Sequence, residues 1–222
     1  MEQLFQKLAP ACAMVMEKSP GARGVEFLGS AFVVRQEGYL LTAAEVVKGK
    51  TQLLVSPAED PSGFQPMSRE QLRCFAAEVA CLDEKNNVAL LRLTDPAQLR
   101  LPPDLLGDST ALRPGAELLQ LGFPFGRHGT LVLTARHSHL AAKMLSADGR
   151  QQLLVEGAVY SGAAGGALVD VQRGRIVGVL GSQLALLPKE GVLPGKFNLP
   201  QQTDLSLAAP IEAATALLTA QA

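Results

Sequence analysis

Tryptophan is absent from this sequence, and the aromatic share of its 222 residues is only 5%. Stacking nucleic-acid bases needs aromatic platforms, so the scarcity weighs against nucleic acid as a partner. An excess of one charge is missing too. Twenty Lys+Arg stand against 21 Asp+Glu, giving a net charge of −1, and the basic residues are scattered. No electrostatic pull toward polyanions or anionic lipid follows from such a balance. Cysteine is sparse: Cys12, Cys74 and Cys81 make an odd, low count that does not describe a disulfide framework. Cys74 and Cys81 could pair if their strands met, but free thiols packed as small hydrophobes suit the count better. No apolar run approaches the roughly 20 residues of a membrane-spanning helix. The run over residues 8–16 carries its small-x-small step, Ala11-Cys12-Ala13, inside itself, and Glu2 precedes Lys7. It therefore reads as an opening strand or helix–strand junction rather than a leader. The compartment stays open: cytoplasmic if the sequence is complete, periplasmic or exported if a leader has been trimmed.

What is present is apolar material, 47% of the chain, enough for one large core or two small fused ones. Short strand-like runs bounded by Gly, Pro, Asp and Asn recur over residues 31–34, 39–42, 52–56, 76–82, 88–93, 117–122, 129–135, 153–156, 167–171 and 176–180. This spacing predicts an all-β barrel or sandwich, not βαβ units. Helical periodicity is clear only after Pro210, a residue tolerated in the first turn of a helix. Two prolines at 102 and 103 mark a seam between strand-rich halves. Two connections, residues 57–73 and 185–204, are long enough to be functional or mobile.

Three blocks, in chain order, resemble the HtrA/Deg branch of the trypsin-like serine proteases. The first is Gly29-Ser30-Ala31-Phe32-Val33-Val34, continued by Gly38-Tyr39-Leu40-Leu41-Thr42-Ala43-Ala44-Glu45-Val46-Val47. The second runs from Asp83 through Asn87-Val88-Ala89-Leu90-Leu91. The third joins Leu106-Gly107-Asp108-Ser109, Gly122-Phe123-Pro124-Phe125-Gly126 and Ser161-Gly162-Ala163-Ala164-Gly165-Gly166-Ala167-Leu168-Val169. The resemblance covers most of residues 25–215. It implies two six-stranded antiparallel β-barrels: an N-terminal segment (1–19), a first barrel (20–104), a second (105–208) and a short C-terminal helix (209–222). No further domain is expected beyond the protease fold, and a trimer built through Leu4, Phe5 and Leu8 is what the family implies; capping of the barrel would bury those residues equally well.

The departures from the family pattern set the functional expectation. Where the family has its histidine base, orienting aspartate and nucleophilic serine, this sequence holds Glu45, Asn87 and Ala164. Alanine offers a methyl group in place of an oxygen nucleophile, and removing nucleophile or base from such a triad costs on the order of a million-fold in turnover. The expectation is therefore no enzyme: a pseudoprotease, with no catalytic residue intact, acting by polypeptide or protein binding as a scaffold or regulator of proteolysis. An active hydrolase using a relocated serine, and a subunit used for assembly alone, are the alternatives. Ser161 fits a turn former and Ser182 a strand-end contact. Serine-to-alanine engineering would explain Ala164 but neither Glu45 nor Asn87. Two carboxylates side by side would repel, so the amide of Asn87 is expected to donate to Glu45.

By the same resemblance, the backbone of Gly162, Ala163 and Ala164 forms an oxyanion-hole-like turn, and Gly178, Val179, Leu180, Gly181 and Ser182 form the edge of a peptide groove. His137-Ser138-His139 puts two imidazoles on one face of a strand, but no third ligand is apparent, so no metal and no cofactor is expected.

Overall fold

The computed structural model describes residues 1–19, 24–59, 62–69, 71–95, 101–186 and 201–220. Six strands build the first barrel: β1 (Cys12–Lys18), β2 (Val25–Arg35), β3 (Tyr39–Thr42), β4 (Leu53–Pro57), β5 (Phe75–Asp83) and β6 (Val88–Leu93). They close in the order β1-β2-β3-β6-β5-β4. The second comprises β7 (Glu117–Gly122), β8 (Thr134–Leu145), β9 (Gln151–Glu156), β10 (Ala167–Asp170), β11 (Arg175–Leu186) and β12 (Gln201–Pro210). It closes in the same order offset by six, β7-β8-β9-β12-β11-β10. All paired strands are antiparallel. Closure leaves neither barrel a free sheet edge that could template aggregation.

Each barrel has a core of buried apolar side chains, and in β3 and β6 adjacent residues are buried alike because both faces of those strands are covered. Phe32, Leu40, Leu41, Leu90 and Leu91 are fully buried in the first; Leu118, Leu140, Leu168, Val177 and Leu180 fill the second. The helix α1 (Glu2–Leu8) leads through a single 3₁₀ turn, Ala9–Ala11, into β1. The apolar run near the start is thus a helix–strand junction. Because Cys12 to Met16 are all buried between β2 and β4, the first barrel opens at Cys12, inside the segment set aside as residues 1–19. Leu8 is buried and Leu4 and Phe5 pack against the same core, so this helix caps the barrel. The three cysteines are free, and burial pushes the Cys12 thiol up to about 12.

The helix α3 (Ile211–Thr219) follows the second barrel and buries Ile211, Ala214, Leu217 and Leu218 in a core cluster that runs through both barrels. The Arg35 guanidinium donates to the Leu218 carbonyl at 2.8 Å, and the Ser109 N–H donates to the Glu212 carboxylate at 2.8 Å. One helix therefore straps the two barrels together.

Two local expectations shift. The strand expected over residues 129–135 is mostly loop: Gly129 sits at φ 80 after a 3₁₀ turn, and the Leu131 N–H donates to the Met67 carbonyl rather than to a strand. The strand starts at Thr134 and runs through His137 and His139 to Leu145. The connection expected at residues 185–204 begins and ends as strand, in β11 and β12, and its middle, 187–200, lies outside the described residues.

Candidate functional site

A single helical turn, α2 (Ala44–Val47), follows β3 and presents Glu45 outward while Ala44, Val46 and Val47 are buried. The first N–H groups of any helix have no partner within it and need one from outside. Ala43, at the cap position, serves the Val46 N–H with its carbonyl and has no side-chain oxygen to offer. Asn87 supplies it from the β5–β6 turn: its Oδ1 accepts the Glu45 backbone N–H at 3.0 Å. Asn87 reaches that position at φ 55, a left-handed conformation that asparagine tolerates better than most residues. The pairing expected between residues 45 and 87 exists with its direction reversed. Asn87 accepts from the main chain instead of donating to the carboxylate, because an orphan backbone donor needs a partner more than an exposed carboxylate does.

Ala164 closes on the same seam from the second barrel. Its carbonyl accepts the Ser30 N–H at 2.8 Å, and the next residue, Gly165, donates to the Leu180 carbonyl at 2.7 Å. Gly29 is the point of close approach: a Cβ there would lie 2.8 Å from Val46 Cγ2 and 2.9 Å from the Ala164 carbonyl. On the other side a Cβ at Gly181 would lie 3.3 Å from Asn87 Nδ2 and 3.8 Å from Glu45 Oε1. The segments carrying residues 45, 87 and 164 therefore converge where the barrels meet.

The turn before Ala164 is pinned by a buried hydroxyl to which the sequence pattern assigns no role. Ser30 Oγ donates to the Gly162 carbonyl at 2.8 Å and accepts the Phe123 N–H at 2.9 Å. The Ala163 N–H is spent on the Tyr160 carbonyl at 2.8 Å. Of the three backbone donors expected to form an oxyanion-like hole, Ala163 is thus already engaged within a 3₁₀ turn, Ser161–Ala163. The Ser161 side chain lies outside what is described.

The expected groove edge is narrower than residues 178–182. Gly178 pairs with both Leu168 and Pro210, and Val179 with both Ala167 and Ala209. Leu180 pairs with Ala208, and its own N–H and carbonyl bond Gly166 and Gly165. Main-chain capacity is consumed through Leu180, since β10 lies along one side and β12 along the other. Only Gly181 and Ser182 remain at a break in the β11–β12 register. They line a pocket of about 280 Å³ with Glu45, Asn87, Arg150 and Gln152. A neighbouring pocket of about 370 Å³ lies behind Leu180, walled by Phe125, Tyr160, Arg136 and Asp204.

Residues 29–179 match the model of the trypsin-like peptidase domain family. The chain belongs to that family. Among curated relatives of this trypsin-like peptidase domain is the magnetosome formation protease MamE of Magnetospirillum gryphiswaldense, 27% identical over 72% of this chain and 19% of the relative. Serine protease HTRA1 of Xenopus laevis is 30% identical over 68% of this chain and 30% of its own length. The chain thus spans about a fifth to a third of these relatives. Among solved structures, the HtrA-type protease AlgW with a decapeptide superposes with a TM-score of 0.70 at 21% identity, covering 98% of this chain and 66% of that one. AlgW with a tripeptide gives the same score at 23% identity, covering 98% and 62%. The double barrel and the HtrA/Deg likeness stand. The expectation of no enzyme does not. It rested on three substituted side chains, whereas the relatives of this peptidase domain are named as proteases and its structural neighbours are HtrA-type proteases.

Sequence reasoning also missed Arg150. It precedes β9, and nothing in its local pattern distinguishes it; only the fold brings it beside Asn87 and Gly181.

Proposed function

We propose that the chain binds an extended polypeptide segment at Gly181 and Ser182, in the seam between the barrels, and serves as a scaffold or regulator of proteolysis. The observation that carries this reading is Arg150. Its Nε is buried and has no hydrogen-bond partner among the described residues. An unpaired buried donor is costly, and a charged one more so. A peptide carbonyl or carboxylate entering the pocket would meet the guanidinium of Arg150, which lines it. The AlgW structures, which hold a decapeptide and a tripeptide, support peptide as the ligand class. Absence of a side chain at Gly181 leaves room for main-chain approach. No helix long and apolar enough to cross a membrane occurs among the described residues.

The test is fluorescence anisotropy with an unstructured peptide library. Charge-assisted hydrogen bonds contribute about 1.5–3 kcal/mol, so Arg150→Ala is expected to weaken the selected peptide by about tenfold or more. Its melting temperature should stay near the parent's, because that guanidinium makes only a long 3.4 Å bond to the Lys85 carbonyl and an exposed charge interaction with Asp148 among the described residues. Equal affinity in parent and variant would remove Arg150 from the site and this reading with it.

Hydrolysis of the bound peptide is the second reading, favoured by the names of the relatives and by one placement: Ser182 shares its pocket with Glu45. A fluorophosphonate probe should then label the parent chain, and Ser182→Ala should abolish labelling. Labelling that survives this substitution excludes Ser182 as the nucleophile.

A further inference from the structure

His137 and His139 lie two apart on β8, so both imidazoles stand on one face of the sheet. Glu117, at the start of β7, is paired directly with His139. Potential ligand atoms of Glu117, His137 and His139 all lie within 4.8 Å of one another. The two imidazole centroids are 5.0 Å apart and their planes nearly perpendicular, at 75°. The rings meet edge to face rather than stacked, an arrangement compatible with one nitrogen of each reaching a shared point. The third ligand, which the sequence did not offer, arrives from the neighbouring strand through pairing register.

A fourth residue orients the set. Glu156, ending β9 on the other side of β8, lies 2.7 Å from His139 Nδ1. A carboxylate only accepts, so Nδ1 is the donor, and in the neutral imidazole that a metal requires the lone pair of His139 is on Nε2. A carboxylate holding the far nitrogen of a histidine is the usual support for a metal-bound imidazole: it fixes the tautomer and raises the ligand's basicity. Glu117 and His137 are exposed, which leaves an entry path and room for water in the remaining coordination position.

The geometry points to a divalent transition-metal site on the outer face of the second barrel, with Glu117, His137 and His139 as ligands and Glu156 as the orienting residue. Two imidazoles and one carboxylate suit zinc, with water completing a tetrahedron. The same donors favour copper and nickel over manganese, and disfavour magnesium and calcium, which prefer all-oxygen shells. The expectation of no metal is replaced by this proposal.

The full chain is titrated with zinc chloride in chelator-free buffer and followed by calorimetry and by the imidazole ring protons in NMR. With only three histidines in the sequence, those signals assign readily. One equivalent should bind, shifting His137 and His139 while leaving His128 unmoved. His137→Ala and His139→Ala should each weaken binding at least tenfold. Glu156→Gln should weaken it by about tenfold through loss of orientation alone. The proposal is overturned if zinc leaves the His137 and His139 signals unshifted, or if the double alanine variant, checked for an unchanged melting temperature in EDTA, binds as the parent does.

Discussion

The combined substitution Glu45→His, Asn87→Asp, Ala164→Ser is expected to raise peptide-bond hydrolysis at least ~10³-fold over the parent chain, whereas each single substitution changes it little. A serine–histidine–aspartate set acts as a unit, and its members together account for about 10⁶ in turnover. Restoring one or two members therefore restores almost nothing, a strongly non-additive pattern. The scaffold is already arranged for the change. Residues 45 and 87 touch through the 3.0 Å bond that caps α2, and an aspartate at 87 keeps an oxygen for that N–H while gaining a charge favoured at a helix start. Serine at 164 adds one hydroxyl where a methyl is now packed at the seam. The expectation is set below the full 10⁶ because the Ala163 N–H is engaged by Tyr160, and that turn must open to stabilise an oxyanion. A fluorogenic peptide assay with active-site titration checks it. A well-folded triple variant no faster than its parent would mean that these three side chains do not meet as a triad requires.

The sequence made the two barrels legible because the strands are short apolar runs punctuated by Gly, Pro, Asp and Asn. β3, β6 and β7 fall at the residues that pattern selects. It failed at residues 129–135, where apolar Leu131 and Leu133 suggested a strand. A left-handed glycine and a hydrogen bond to Met67, 64 residues earlier, hold a loop there instead. Local pattern carries no record of such long-range partners. The same limit applies to the candidate site. Glu45, Asn87 and Ala164 could be picked out by block order, but the cap formed by Asn87 depends on which atom of a neighbouring element lacks a partner. Glu117 joins His137 and His139 through register, and Arg150 joins Gly181 through barrel closure. None of these contacts has a spacing in sequence.

Gly165→Ala is expected to destabilise the fold more than any other single glycine-to-alanine change outside a strand, lowering the melting temperature by roughly 10–20 °C. Gly165 adopts φ +85, and a Cβ there would collide with Thr42 Oγ1 and with the Ser30 carbonyl oxygen. Neither neighbour can step aside. The Thr42 hydroxyl is itself bonded to that carbonyl at 2.7 Å, and Ser30 lies within β2, paired with Met14 of β1 and held there by the Ser30–Ala164 bond. Relief requires the second barrel to move away from the first. That movement breaks the Ser30 N–H bond to Ala164 and pulls the Gly162 carbonyl off the buried Ser30 hydroxyl. Left-handed strain costs an alanine about 1–2 kcal/mol, and each buried group left unpaired costs about 1–3 kcal/mol. The total of about 4–6 kcal/mol is a large part of the 5–15 kcal/mol that typically holds a domain together. At about 2–4 °C per kcal/mol for a chain of this size, the quoted drop follows. Gly149→Ala is the control, since Gly149 has nearly the same φ, +81, but nothing within 4 Å of its absent Cβ. It should lose only the strain component, about 1 kcal/mol. If calorimetry finds the two variants equally stable, conformational strain alone governs Gly165 and the contact between Gly165 and Ser30 is not what joins the barrels.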